Sequence, residues 1–184
     1  MSALALTSAY VSNNKCPTGY PVVENFDASQ YVGTWYEIEK DRDFPIEWGA
    51  SCNTATYTAN PDGSIKVDNR AFYWWWAYNY HSALGTAKCD GAHCIVDFGY
   101  GPAPTVPNYN VLKTDYKTYA AVYSCEELFD GQSVQLTWVL SRTPTLDPAI
   151  YQELKEYITE TIPTYSTSAA WSNAEMTNQK NCQY

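Results

Sequence analysis

The sequence predicts an all-β chain that ends in one α-helix. Strand-forming runs alternate polar with apolar residues, most clearly from Ser64 to Tyr73. Turn-forming clusters separate the runs, among them Asn60-Pro61-Asp62-Gly63 and Asp90-Gly91. Near the C-terminus the period changes. Ile150, Leu154 and Ile158 recur at helical spacing behind Asp147-Pro148, an N-cap followed by a proline at the first helical position.

Taken in order, residues 1–15 are expected to be disordered or loosely attached, with the small apolar run from Ser2 to Ala9 as the remnant of a signal. Asp27, Ala28, Ser29 and Gln30 suit one short helical turn, and Gly33 permits a sharp change of direction. Thr34 to Lys40 is the first strand. Asp41 to Gly49, with Phe44, Pro45 and Trp48, is a long loop. Cys52 to Ala59 is strand-like, with Thr54, Thr56 and Thr58 alternating.

In the next strand Lys66, Asp68 and Arg70 should face water. Ile65, Val67, Asn69, Ala71 and Tyr73 then face inward, which puts an amide on an apolar face. It either satisfies a neighbour or meets a ligand. Ser82 to Cys89 and Cys94 to Tyr100 are strands, and an outward Asp97 places Val96, Phe98 and Tyr100 inward. Gly101 to Pro107 is a stiff proline-rich loop. Asn108 to Thr114 carries Tyr109 and Val111 on one face. In Val134 to Arg142, outward Gln135 and Thr137 leave Val134, Leu136, Trp138, Leu140 and Arg142 on the inner side. The helix ends before Pro163, and residues 164–181 are expected to form a loosely ordered tail. One domain is predicted for residues 16–184.

Composition narrows the function. Net charge is −9 with dispersed acidic residues, which disfavours nucleic acid and anionic membrane surfaces as partners. No stretch of about 18 apolar residues is available to span a membrane as a helix. The six cysteines suggest an oxidising, extracellular compartment. The spacing of His81, Cys89, His93 and Cys94 matches no zinc pattern. With two histidines and no nucleophile–base spacing, an enzyme is not indicated. Aromatic residues make up 16%, including 17 Tyr and 7 Trp. They suit a surface that grips a flat apolar ligand, or cross-strand pairing in a large sheet. The run Tyr73-Trp74-Trp75-Trp76-Ala77-Tyr78-Asn79-Tyr80-His81 carries large rings on both faces, as a ligand clamp or a protein interface would.

Three stretches combine into a specific pattern. They are Gly33-Thr34-Trp35 after a helical turn, Thr114-Asp115-Tyr116-Lys117-Thr118-Tyr119, and Arg142 after the last strand. Their order and spacing resemble the motifs of the lipocalin family, in the branch of apolipoprotein D, the insect bilin-binding proteins and the carotenoid lipocalins. That resemblance implies an eight-stranded antiparallel up-and-down β-barrel, the lipocalin calyx, with the C-terminal α-helix packed outside. It assigns Gly33, Trp35 and Arg142 to the structure, with Arg142 stacked on Trp35 at the closed end.

The resemblance also implies bridges Cys16–Cys125 and Cys52–Cys182. Cys89 and Cys94 are then left over, flanking the Asp90-Gly91 turn, where a local bridge fits. With Cys125 pointing out to Cys16, Ala120, Val122 and Ser124 point in, leaving room for a ligand. The cavity wall is expected to carry Tyr57, Asn69, Tyr73, Phe98, Tyr100, Tyr109, Val122 and Trp138, with Trp48, Trp75, Asn79 and His81 ringing the mouth. Glu37 and Glu39, on the Trp35 face, are a candidate carboxylate pair for hydrogen bonding or for a cationic ligand. The expected ligand is a conjugated pigment, a carotenoid or a bilin. Colourless lipids such as fatty acids, retinoids or steroids are the alternative, as is a protein interface, homo- or hetero-oligomeric, at residues 73–81.

Overall fold

The computed structural model describes residues 11–42, 44–74, 77–128, 131–166 and 174–184. The predicted Trp75 and the aromatic neighbour Trp76 lie outside the described residues, as do residues 1–10.

Eight strands form the wall: β2 (Gly33–Asp41), β3 (Ala50–Ala59), β4 (Ile65–Tyr73), β5 (Asn79–Asp90), β6 (His93–Asp97), β7 (Tyr109–Thr114), β8 (Tyr119–Glu127) and β9 (Ser133–Ser141). Each pairs antiparallel with its sequence neighbour, and β9 closes on β2. Short strands β1 (Val11–Ser12) and β10 (Ala174–Met176) flank that seam, pairing with β9 and β2. Helix α1 (Ala28–Tyr31) closes one end, and α2 (Pro148–Thr161) with the single turn α3 (Pro163–Ser166) follows the barrel.

The sheet divides two apolar cores. Inside, Tyr31, Trp35, Tyr57, Ile65, Val67, Val111, Val122 and Leu140 pack together. Outside, Leu154, Ile158, Ile162 and Tyr165 cover Ile38, Leu112, Tyr123 and Val139. The predicted stripe therefore works as expected: Leu154 and Ile158 are fully buried and Ile150 packs at the edge. Asp147 caps α2 by accepting from the Ala149 amide at 2.7 Å.

The closed end is tied by all three motifs. Asp27 caps α1, accepting from Ser29 N at 2.9 Å, and its own amide donates to Tyr116 Oη at 3.0 Å. Gly33 has φ +95°, open to glycine at little cost, and a Cβ there would lie 3.3 Å from Arg142 Nη1. Arg142 donates to the carbonyls of Tyr116, Thr34, Gln30 and Tyr31 at 3.0–3.3 Å. Asp115 Oδ1 accepts the amides of Lys117, Thr118 and Tyr119, which fixes the turn into β8.

Disulfides join Cys16–Cys125, Cys52–Cys182 and Cys89–Cys94, the three expected pairs. Two segments depart from expectation. Residues 11–15 are not loose: Ser12 is buried, and Ser133 Oγ donates to Asn14 O at 2.6 Å. The C-terminal tail is not loose either where it is described. Beyond Tyr36–Thr54, β2 and β3 part, because a bulge carries Cys52 to φ +57°. Residues 174–179 fill that gap. Thr177 N donates to Ile38 O, Cys52 N to Asn178 O, and Gln179 Nε2 to both Glu37 O and Asn53 O. Backbone groups that would otherwise be orphaned in the wall are satisfied by the tail.

Candidate functional site

Strand register fixes which side chains face the barrel interior. Trp35 pairs with Ala55, Ala55 with Asn69, and Asn69 with Ala83, so these four share one inner row. Trp35 is fully buried, yet Asn69 is exposed and Ala55 and Ala83 are only partly covered. Solvent thus reaches the inner wall midway up the barrel. Small side chains at Ala55 and Ala83 flank the Asn69 amide, and this open row forms a bay in the inner wall. Nearer the mouth, His81 is also exposed on the inner face, with its ring 6.2 Å from that of Tyr73.

Below the bay the interior is packed and its polar groups are paired. Tyr57 Oη donates to Tyr109 Oη at 3.0 Å, and the hydroxyls of Tyr109 and Tyr31 lie 2.9 Å apart. Burial pushes all three phenols up, Tyr57 to about 12, so they stay neutral. Three hydroxyl protons serve two bonds within the trio, so one O–H remains to donate elsewhere. Tyr31, Tyr57 and Tyr109, with Phe26, Ile65 and Val96, border a cavity of about 20 Å³, room for roughly one water.

Above the bay lies a second polar group. Glu37 pairs with Leu140 on the inner side and is buried. Its Oε1 accepts from Thr177 Oγ1 at 2.6 Å and Asn53 Nδ2 at 2.9 Å. The loop between β2 and β3 is strapped over this point. Lys40 Nζ donates to Glu47 O and Ala50 O, and Tyr73 Oη to Ile46 O, all at 2.8–2.9 Å. The Trp138 indole N–H faces both Glu47 carboxyl oxygens at 3.3 Å. Burial first, then Glu37 beside it, pushes the Glu47 carboxyl up to about 8, against the pull of Lys40. Burial likewise raises Glu37, and burial with both carboxyls raises Tyr73.

The expected wall is thus brought together in part. Tyr57, Asn69, Tyr73, Tyr109, Val122 and Trp138 line the interior. Phe98 lies against Gly85, where a Cβ would meet it at 2.8 Å. Trp48 and Asn79 are exposed near the mouth. Two expectations fail. Tyr100 is 82% exposed, because β6 ends at Asp97 and Gly99, at φ +72°, breaks the alternation. Glu39 faces outward beneath α2, where Tyr151 Oη and Lys155 Nζ bind its carboxylate. The bulge between Glu37 and Glu39 inverts the alternation there. Tyr31, Lys40, Glu47 and Asn53 were not anticipated. A loop and a bulge carry no periodic signal, and Tyr31 reads only as the end of a helical turn.

Comparison with known proteins agrees with this geometry. The model of the lipocalin-like domain matches residues 26–171. The chain belongs to the lipocalin family. It is 38% identical over 150 residues to apolipoprotein D of Rattus norvegicus, covering 79% of this chain and 75% of that one. It is 34% identical over 157 residues to the outer membrane lipoprotein Blc of Escherichia coli strain K12, covering 82% and 83%. Among solved structures, insecticyanin of Manduca sexta superposes with a TM-score of 0.73 at 24% identity, covering 95% of this lipocalin and 92% of that chain. This lipocalin therefore has the ligand-binding fold of its family. Among the described residues no helix is long and apolar enough to cross a membrane.

Proposed function

We propose that this lipocalin is a secreted, non-enzymatic carrier that takes a small apolar ligand into the bay above Trp35. The observation that carries the reading is the inner row Ala55–Asn69–Ala83, open to solvent in the middle of a closed barrel. Burying an apolar ligand there contributes about 25 cal/mol per Å² removed from water. Rings of Trp138, Tyr73 and Phe98 and the His81 imidazole suit a flat conjugated ligand, a carotenoid or a bilin, whose polar ends meet Asn69 and the tyrosine hydroxyls. Three disulfides and the likeness to apolipoprotein D support an extracellular setting.

The test is titration of the protein with a carotenoid, a bilin and a fatty acid, read by visible absorbance and tryptophan fluorescence. Saturable pigment binding with a shifted visible band is expected, weakened about tenfold or more by Trp138→Ala. Fatty acid binding without pigment binding would replace the pigment by a colourless lipid. Absence of all binding would overturn the carrier reading.

A second reading has its own observation. Phe72 makes edge contacts with Tyr78 and Tyr80 at 5.6 and 5.2 Å, and Trp74 and Tyr78 are 64% and 80% exposed. An exposed aromatic patch of this kind suits docking to another protein. Trp74→Ala with Tyr78→Ala would then change the size in solution and leave ligand affinity intact.

A further inference from the structure

The polar group above the bay has too many acceptors for its donors. Among the described residues Glu37 uses only Oε1 in its hydrogen bonds. Asn53 is 5% exposed, and its Nδ2 is fixed on the Glu37 carboxylate, which sets the orientation of the amide. Its Oδ1 is buried without a hydrogen-bond partner. A buried acceptor left unpaired is costly, so this position favours an incoming donor. Glu47 adds a second carboxyl, which the Trp138 indole N–H meets at 3.3 Å.

Lys40 does not meet this need. Its Nζ donates to the backbone carbonyls of Glu47 and Ala50. Among the described residues no ion pair within 4.0 Å joins it to either carboxylate. With both carboxyls ionised the group carries two negative charges against one positive. With a neutral ligand Glu47 avoids that imbalance by keeping its proton, so its ionised form calls for a second cation.

We propose that this upper part of the calyx is a subsite for a primary ammonium group, taken by Glu37 Oε2, the Glu47 carboxylate and Asn53 Oδ1. An ammonium has three N–H donors for these three acceptors. It also balances the second carboxylate. The ligand class is an amphiphile with an amine head, its apolar body in the bay below. The inference rests on the carrier reading for that body and adds the head group. The charged groups facing Glu47 are Glu37, Lys40 and Asp41 of β2, and the titratable Tyr73 of β4 lies against the same loop.

Binding has a proton signature. Glu47 keeps its proton at neutral pH, and an arriving ammonium favours the carboxylate, so binding releases up to one proton to solvent. The experiment is calorimetry with dodecylamine and dodecanol at pH 7 in two buffers of different ionisation enthalpy. The alkylammonium stays charged at this pH. Dodecylamine is expected to bind about tenfold or more tighter than dodecanol, with proton release. In Glu47→Gln the ratio should fall toward one and the proton release should vanish. Dodecanol binding as tightly as dodecylamine to the native protein would overturn the subsite with the carrier reading intact. An unchanged ratio in the variant would overturn it too. Failure of both probes to bind would remove the carrier reading and the subsite together.

Discussion

The guanidinium carbon of Arg142 lies 3.7 Å from the centre of the Trp35 ring system. Trp35 in turn donates through its indole N–H to Tyr31 O at 2.8 Å. The last strand, the first wall strand and the closing helix thus meet at one stacked pair. Arg142 also satisfies carbonyls at the C-terminal end of α1, where a helix leaves acceptors open. Burial lowers its pKa, but not to where it would lose charge at neutral pH.

Arg142→Ala is therefore expected to destabilise the fold by about 2–4 kcal/mol, through the lost stack and several unpaired carbonyls. Arg142→Lys should recover only part, since an ammonium lacks the planar fork that reaches four carbonyls. Chemical unfolding midpoints of the three proteins check this. A lysine variant as stable as the native protein would show that charge alone suffices.

The tyrosine trio gives a second expectation. Tyr109 is the shared partner, so Tyr109→Phe leaves the hydroxyls of Tyr31 and Tyr57 without the oxygen both contact. A cost of about 1–3 kcal/mol is expected. Tyr31→Phe leaves the Tyr57–Tyr109 bond in place and should cost less. Unfolding free energies of the two variants decide it, and equal losses would mean that the hydroxyls do not act as a linked set.

The closed end was legible because its residues act through local chemistry that the sequence displays. Asp27 reads as a cap, Gly33 as a turn, and Arg142 falls on the inner side with Trp138 by counting twos, while the place of Trp35 follows from the family resemblance. Counting fails where the backbone breaks its period. One bulge turns Glu39 out to α2, and another lets β3 part from β2 and draws the tail into the wall. Both are set by pairing with distant strands, which a local pattern does not record. Glu47 sits on a loop, where side-chain direction has no period at all. The upper half of the site is therefore the half the sequence hides.

The Glu47 carboxyl also makes stability depend on pH. Its folded pKa is raised from 4.5 to about 8, so between these values the folded chain binds more protons than the unfolded one. Stability from this group is complete below about pH 4.5 and is lost as pH rises through 8. With Glu47 half-buried and partly screened by solvent, the loss is on the order of 1–2 kcal/mol. The melting temperature should thus fall by several degrees between pH 6 and pH 9, and Glu47→Gln should flatten that fall. An equally steep decline in the variant would assign the effect to another group.

The tail inserted between β2 and β3 predicts unequal disulfides. Cys52–Cys182 spans 130 residues and Cys89–Cys94 spans 5. Loop-closure entropy alone assigns them about 5 and about 2 kcal/mol. The packing argument widens the gap. Without its bridge to Cys52, the segment from Thr177 to Gln179 loses its anchor, and Glu37 then risks the hydrogen bond from Thr177 inside the barrel. Replacing Cys52 and Cys182 by alanine should lower the unfolding midpoint well below that of the Cys89→Ala, Cys94→Ala protein. Amide hydrogen exchange should locate the damage at Thr177 and at position 52, whose N–H groups donate to Ile38 O and Asn178 O across the seam with the tail. If those amides stay protected when the bridge is gone, backbone pairing alone seats the tail, and the disulfide acts only on the unfolded chain.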